Sequence, residues 1–396
     1  MDWLPAAQAA LLAAGLDAWL LYDFRGANGT AAKRIGPVLA GGVASRRAFL
    51  LVPAAGEPVL LVHAIERGSV PPQPFEVRSY SSRASLEAAL RGLLAGHGRV
   101  AMEYSPLGDN PYVGLVDAGT VELVRSLGVE VASSGDVAQA LEVWTPRQVD
   151  AHLQAAEAVL AAKDRAYGFL RERLALGKAV RETEVQQVIV RYFEARGLVF
   201  DHPPNVSFGP HAGDPHYAPR RGDDSAVRPG EAVLIDLWAK LDEADAPYAD
   251  VTWMGVCGEP DAELARAFAA VTEARDAAFR AIAEAWDAGE RPQGRAIDRV
   301  ARDLLAARGY GDDVFIHRTG HSLGCRHTHG DAVHLDDYET RDARRLLSGL
   351  GLTIEPGVYF PGFGVRSEID VLLEEDGPRV TTDLQGELEL LPVARA

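Results

Sequence analysis

The chain has 396 residues, 47% of them hydrophobic and 24% charged, which fits two or three globular domains with sizeable cores. Forty Lys and Arg against 57 Asp and Glu give a net charge of −17, which argues against a protein that holds nucleic acid or an anionic membrane by charge. Two cysteines, Cys257 and Cys325, are too few for a disulfide framework, and no apolar run reaches the ~18–20 residues of a membrane span. The expectation is a cytoplasmic protein.

The first part of the chain alternates helices and strands. Pro5 to Ala14 is Ala/Leu-rich and reads as a helix, followed by a short apolar strand from Ala18 to Tyr22. Arg47 to Val52 and Pro58 to Val62 read as strands joined by the turn at Ala54 to Glu57. Leu86 to Ala95 is helical, Arg99 to Glu103 is a strand, and Val121 to Leu127 and Val137 to Leu141 are further helices. This is an α/β layout with a covered sheet, placed as an N-terminal domain over 1–143.

Near Trp144 the pattern changes, and 144–396 is expected to form a second domain. Thr145 followed by Pro146 is a helix start, a hydroxyl cap and then proline at the first helical position. A second helix is expected from Thr183, with Gln186 completing its capping box. Pro203 to Gly230 is rich in Pro, Gly, Asp and Arg and reads mostly as loop. Glu231 to Leu241 and Tyr248 to Gly258 are strands, with Lys240 to Ala246 as a hairpin extension. Helices follow at Ala262 to Trp286 and Gly294 to Ala307, and then strands at Thr353-Ile354 and Val365 to Leu373.

Eight of the eleven histidines lie after residue 200, five of them between 317 and 334. Carboxylates stand among apolar β segments: Asp236 after Ala232 to Ile235, Asp250 at the start of the next strand, Glu355 after Thr353-Ile354, and Glu368 before Ile369. A buried unpaired charge is costly, so acids in these places require partners. With His321 they make a set of oxygen ligands and one imidazole, which suits Mn²⁺, Zn²⁺ or Co²⁺; four carboxylates carry charge enough for two divalent ions. Taken singly, each acid also reads as an ordinary strand-end residue, and His321 as a structural histidine.

Read together, Thr319 to Gly324, Ile354 to Tyr359, Val365 to Glu368 and His216-Tyr217 resemble the pita-bread metallopeptidases, a family that includes aminopeptidase P, prolidase, methionine aminopeptidase and creatinase. The resemblance covers Thr145 to the C-terminus. It implies an α+β pita-bread catalytic domain behind a creatinase-like α/β domain, and a homodimer. It implies a dinuclear metal set of Asp236, Asp250, His321, Glu355 and Glu368, in which Asp250 and Glu368 bridge the ions. Departures are Trp238 where glycine is usual, Trp253 where arginine often stands, a longer gap between the aspartates, and Thr328 flanked by His327 and His329 where a second active-site histidine is expected. His329 is taken as that histidine because Gly330 follows it.

The implied reaction is hydrolysis of the Xaa-Pro bond of a small peptide, with dipeptides as substrate. Glu355 moves the proton from the nucleophile to the leaving nitrogen. His216 and His329 donate to the substrate carbonyl and its oxyanion. His317 and Tyr359 support the substrate, and Arg366 orients Glu368 or pairs with a carboxylate. Arg341 is placed to recognise a free C-terminal carboxylate bidentately, against the alternative that Arg341, Arg344 and Arg345 are a solvated surface group. The runner-up is aminopeptidase P acting on longer peptides. Remoter alternatives are a metal-free creatinase-like C–N hydrolase and a non-catalytic binding protein.

Overall fold

A computed structural model describes residues 1–39 and 45–393, and they fall into two compact units, Met1–Glu142 and Val143–Ala396. Among the described residues no helix is long and apolar enough to cross a membrane.

The first unit is built on a six-stranded mixed sheet in the order β4-β3-β2-β1-β5-β6. Its strands are β1 (Ala18–Asp23), β2 (Ala48–Pro53), β3 (Val59–His63), β4 (Glu76–Tyr80), β5 (Arg99–Met102) and β6 (Glu130–Ser133). The expected β2–β3 hairpin forms, with Phe49 opposite Leu61. Side chains alternate across each strand, so the sheet needs a cover on both faces. Trp19 and Leu21 pack with Ala7 and Leu11 of α1 (Leu4–Ala13) and Ile35 of α2 (Gly29–Ile35). Leu20 and Tyr22 face the other way, onto Leu86, Leu90 and Leu93 of α3 (Arg83–Leu93) and Val121 and Val124 of α4 (Ala118–Ser126). A short α5 (Gly135–Gln139) follows β6. α2, β4 and β6 have no counterpart among the elements expected from the sequence. α2 has only seven residues and starts from an Asn28 cap rather than from apolar periodicity.

The second unit opens with α6 (Pro146–Ala175), capped as its sequence indicates: Thr145 Oγ1 accepts from the Gln148 N–H, and Gln148 Oε1 accepts from the Thr145 N–H at 2.9 Å. The start of α7 (Glu182–Ala195) differs from expectation. Arg181 takes the cap position with Glu184 accepting its N–H at 2.8 Å, because the Thr183 hydroxyl is drawn away to Asp224. Two short strands follow, β7 (Leu198–Val199) and β8 (Asn205–Phe208), the latter inside the stretch read as loop.

Strands β9 (Ala232–Leu241) and β10 (Ala249–Cys257) form a long antiparallel hairpin. One set of alternate residues, Val233, Ile235, Leu237, Ala249 and Val251, packs into the core made with α6 and α7. Leu234, Met254 and Val256 face the opposite core, made with α8 (Ala262–Asp287) and α9 (Gly294–Ala307). The expected strand Val365 to Leu373 is two strands. β13 (Phe363–Arg366) pairs with β12 (Gly357–Phe360), whereas β14 (Ile369–Glu374) pairs with β11 (Gly351–Ile354). The chain changes partners at Ser367-Glu368, so Glu368 stands at the break. β15 (Gly377–Val380) extends β14, and β16 (Glu389–Leu391) lies parallel to β10.

Candidate metal centre

The β9–β10 register sets Asp236 opposite Thr252 and Trp238 opposite Asp250. Directly paired residues of a ladder share a face, so all four point to one side, away from the α6–α7 core. The apolar residues between them choose the side: burying Ile235, Leu237 and Val251 on one face delivers the polar ones to the other.

His321 comes from a different segment. Its backbone is knitted to β11: His321 N–H donates to Thr353 Oγ1 at 3.0 Å, and Thr353 N–H donates to His321 O at 2.8 Å. The approach needs Gly320, where a Cβ would sit 2.1 Å from Thr353 O. Nδ1 of His321 donates to Ser322 O at 3.0 Å, which leaves Nε2 as a bare acceptor. Nε2 lies 3.7 Å from Asp250 Oδ2 and 3.4 Å from Glu355 Oε1. Burial pushes the imidazole pKa down to about 4, so the ring stays neutral and keeps its lone pair.

Glu355 follows β11, its N–H held by Thr319 O at 2.7 Å and its Oε1 by the Thr353 hydroxyl at 3.2 Å. Glu368 accepts from the Thr252 hydroxyl at 2.8 Å. Ligand atoms of Asp250, His321 and Glu368 all lie within 4.8 Å of one another, close enough for one cation to touch all three.

The charges in this space do not balance. Burial raises the carboxyl pKa of Asp236, Asp250, Glu355 and Glu368, and for Asp250 and Glu368 repulsion from the neighbouring acids adds to it. Arg366 brings a guanidinium among them. It donates to Asp236, to Thr252 Oγ1 at 2.9 Å and to Tyr359 OH at 3.2 Å. The acids crowded into this buried space outnumber the arginine that pairs with them. Asp250 Oδ1 is buried with no hydrogen-bond partner. An orphan carboxylate oxygen, a bare imidazole nitrogen and a surplus of negative charge fit divalent cations.

Of the other expected site residues, Tyr359 and His317 join the cluster through Arg366. Tyr359 OH lies 2.8 Å from His317 Nε2, and His317 Nδ1 donates to Arg318 O at 2.7 Å. Arg366 pairs with Asp236, and its hydrogen bonds link it to Glu368 through the Thr252 hydroxyl. His329 is brought back by a tight turn at Gly324 to Thr328, and its ring centroid lies 3.9 Å from that of His321. His327 instead stands 3.9 Å from Asp201. His216 is exposed, yet near enough to Asp236 to act on its ionisation. Arg341 is exposed as well. Arg344 corrects the surface-group alternative: it is buried, with Nη2 donating to Asp342 at 2.6 Å.

Two residues of the site, Thr252 and Asp370, are not among those expected from the sequence. Thr252 links Arg366 to Glu368, and its place opposite Asp236 was available from hairpin pairing. Asp370, fully buried, accepts the Asp250 N–H at 2.9 Å. It lies two residues beyond Glu368 on an apolar strand, the same signal that marks the other acids.

The model of metallopeptidase family M24 matches residues 150–375. The chain belongs to this family. An M24 member with this set of buried acids is a metallopeptidase, and the pita-bread resemblance of its motifs is borne out. The protein named probable dipeptidase PepE of Mycobacterium tuberculosis is 28% identical over 357 residues, covering 88% of this chain and 87% of that protein. The crystal structure of dipeptidase PepE from Mycobacterium ulcerans superposes with a TM-score of 0.64 at 26% identity, over 99% of this chain and 98% of that one. The prolidase from Pyrococcus horikoshii shares the fold, with a TM-score of 0.56 at 21% identity over 98% and 100% of the two chains. These matches run through both units, so the M24 chain has the expected α/β domain ahead of the α+β pita-bread fold.

Proposed function

We propose that this M24 peptidase is an Xaa-Pro dipeptidase that works with two divalent ions, Mn²⁺, Zn²⁺ or Co²⁺, held by Asp236, Asp250, His321, Glu355 and Glu368 in the 144–396 catalytic domain. The observation that carries the reading is the charge-unbalanced cluster around Asp250, His321 and Glu368. When bound, such ions lower the pKa of water and polarise the scissile carbonyl.

The chain's own residues then divide the work. Glu355, beside His321 and still partly open, takes a proton from the attacking water and passes it to the leaving nitrogen. His216 and His329 stand on loops at the edge of the cluster and donate to the substrate carbonyl and the oxyanion that forms from it. Arg366 holds Asp236 and Tyr359 in place, and the Tyr359–His317 pair closes that side. Arg341 is the candidate partner for the C-terminal carboxylate of a dipeptide.

The dipeptide reading is supported by the dipeptidase names of its relatives and by the prolidase fold it shares. A homodimer in the cytoplasm is part of the same proposal, the location resting on a cysteine count too low for a disulfide framework. The test offers Ala-Pro and a longer Xaa-Pro-Xaa peptide to the metal-loaded protein. Cleavage of Ala-Pro in preference is expected. Preference for the longer peptide replaces the dipeptidase with an aminopeptidase, and turnover after complete metal removal rejects the metal mechanism.

A further inference from the structure

Glu182, the first residue of α7, is 0% exposed and lies outside the ligand cluster. A buried carboxylate presents about four lone-pair sites. Here four donors fill them. Phe208 N–H donates to Oε1 at 2.7 Å, and His211 Nδ1 lies 2.9 Å from the same oxygen. Tyr217 OH and Ser225 N–H both donate to Oε2 at 2.7 Å. All four come from one stretch of chain, 208–225, which has little regular structure of its own.

These donors bracket His216. The rings of His211 and Tyr217 stack at 4.2 Å with 27° between their planes, so both sides of the turn lean on the same carboxylate. At its start the stretch is wedged onto the β12–β13 hairpin. A Cβ on Gly213 would sit 2.1 Å from Phe360 O, and one on Gly364 would sit 1.8 Å from Ala212 O. β13 ends at Arg366, the partner of Asp236. The His216 backbone is pinned by Asp214, which accepts its N–H at 3.0 Å, while the ring is left open to solvent. An exposed histidine that must meet a transition state needs its backbone fixed beforehand.

We propose that Glu182 is a positioning residue for His216, acting through Tyr217 and His211. This rests on the reading of His216 as a donor to the substrate. An unpaired glutamate at this depth would be expensive, so the four bonds form together and set the loop in one conformation. Glu182 touches neither substrate nor metal, and its effect is on the rate at which correctly placed substrate reacts.

The test is a double-mutant cycle in the full-length, metal-loaded protein, on whichever Xaa-Pro peptide the wild type cleaves. Tyr217→Phe removes one of the four bonds and leaves the ring stack. It is expected to lower kcat about tenfold, with KM within about twofold and metal content unchanged. His216→Ala is expected to cost about 100-fold in the wild type but only a few-fold in the Tyr217→Phe background, because a mispositioned histidine has little left to lose. Equal costs in the two backgrounds overturn the anchoring while leaving His216 its role. No cost of His216→Ala in the wild type overturns that role, and the anchoring with it. A folded Glu182→Gln protein with wild-type kcat overturns the anchoring as well.

Discussion

The Asp370 carboxylate accepts the backbone N–H of Asp250 at 2.9 Å, one buried acid holding the chain at the root of another. The other Asp370 oxygen is buried without a hydrogen-bond partner. Asp370 therefore does two things: it fixes the strand position from which Asp250 projects, and it sets a further buried acid behind the cluster. Asp370→Ala is expected to weaken divalent-metal binding about 10–100-fold, the usual cost of losing a group that orients a ligand. Titration calorimetry with Mn²⁺ or Zn²⁺ measures it. An unchanged affinity would show that Asp250 needs no such support.

Metal removal should destabilise the protein. Without cations, the carboxylates of Asp236, Asp250, Glu355 and Glu368 are crowded together in a buried space, and burial raises the pKa of every one of them. Cation at one hundred times its Kd is expected to add about 2.7 kcal/mol for one site. The measurement is a melting curve of chelator-stripped protein with and without Mn²⁺. Superimposed curves would mean that these residues bind no ion when folded.

Glu355→Gln separates binding from turnover. Glu355 Oε1 lies 3.4 Å from His321 Nε2 and accepts from Thr353, and an amide oxygen can keep both positions. What the amide cannot do is take up a proton. Metal content is expected to stay substantial while kcat falls about 10²–10⁴-fold, the range for loss of a general acid-base group. Steady-state kinetics on metal-loaded variant protein decides it, and near-normal kcat would remove Glu355 from proton transfer.

Much of this arrangement was legible in the sequence because burial leaves a pattern. Asp236 and Glu368 stood out as charges beside apolar strand residues, and the structure explains why: Ile235 and Leu237 commit one face to the α6–α7 core, and the other face is left for chemistry. Long helices with strong caps, such as the one starting at Thr145, were equally plain. Short elements were not. β8 hides in a Pro- and Gly-rich stretch because it is held by pairing with β9, whose partner residues lie 25 to 31 positions away in the chain. The break at Ser367-Glu368 was invisible for the same reason, since both flanking segments are apolar and only their different partners separate them. Arg344 shows the limit of composition: three arginines in five residues look solvated, yet Asp342 draws one of them inside.

His152 gives a pH dependence of stability away from the ligand cluster. Its ring is fully buried, with Nδ1 donating to Tyr248 O at 2.9 Å and Nε2 accepting from the Thr381 hydroxyl at 2.7 Å. Protonation would turn Nε2 into a donor, and burial pushes the pKa from 6.5 down to about 4. Above 6.5 the ring is neutral in both folded and unfolded chains, and its contribution is complete. Between 6.5 and 4 the unfolded chain takes up a proton that the folded one refuses, so stability falls as pH falls. The loss approaches about 3 kcal/mol near pH 4, at about 1.4 kcal/mol per pKa unit. Urea unfolding of the wild type and of His152→Asn, followed from pH 7 down to pH 4.5, reads this directly. The stability gap between them is expected to shrink by about 2 kcal/mol over that range. Parallel curves would show that the buried imidazole contributes nothing to the acid sensitivity of the fold.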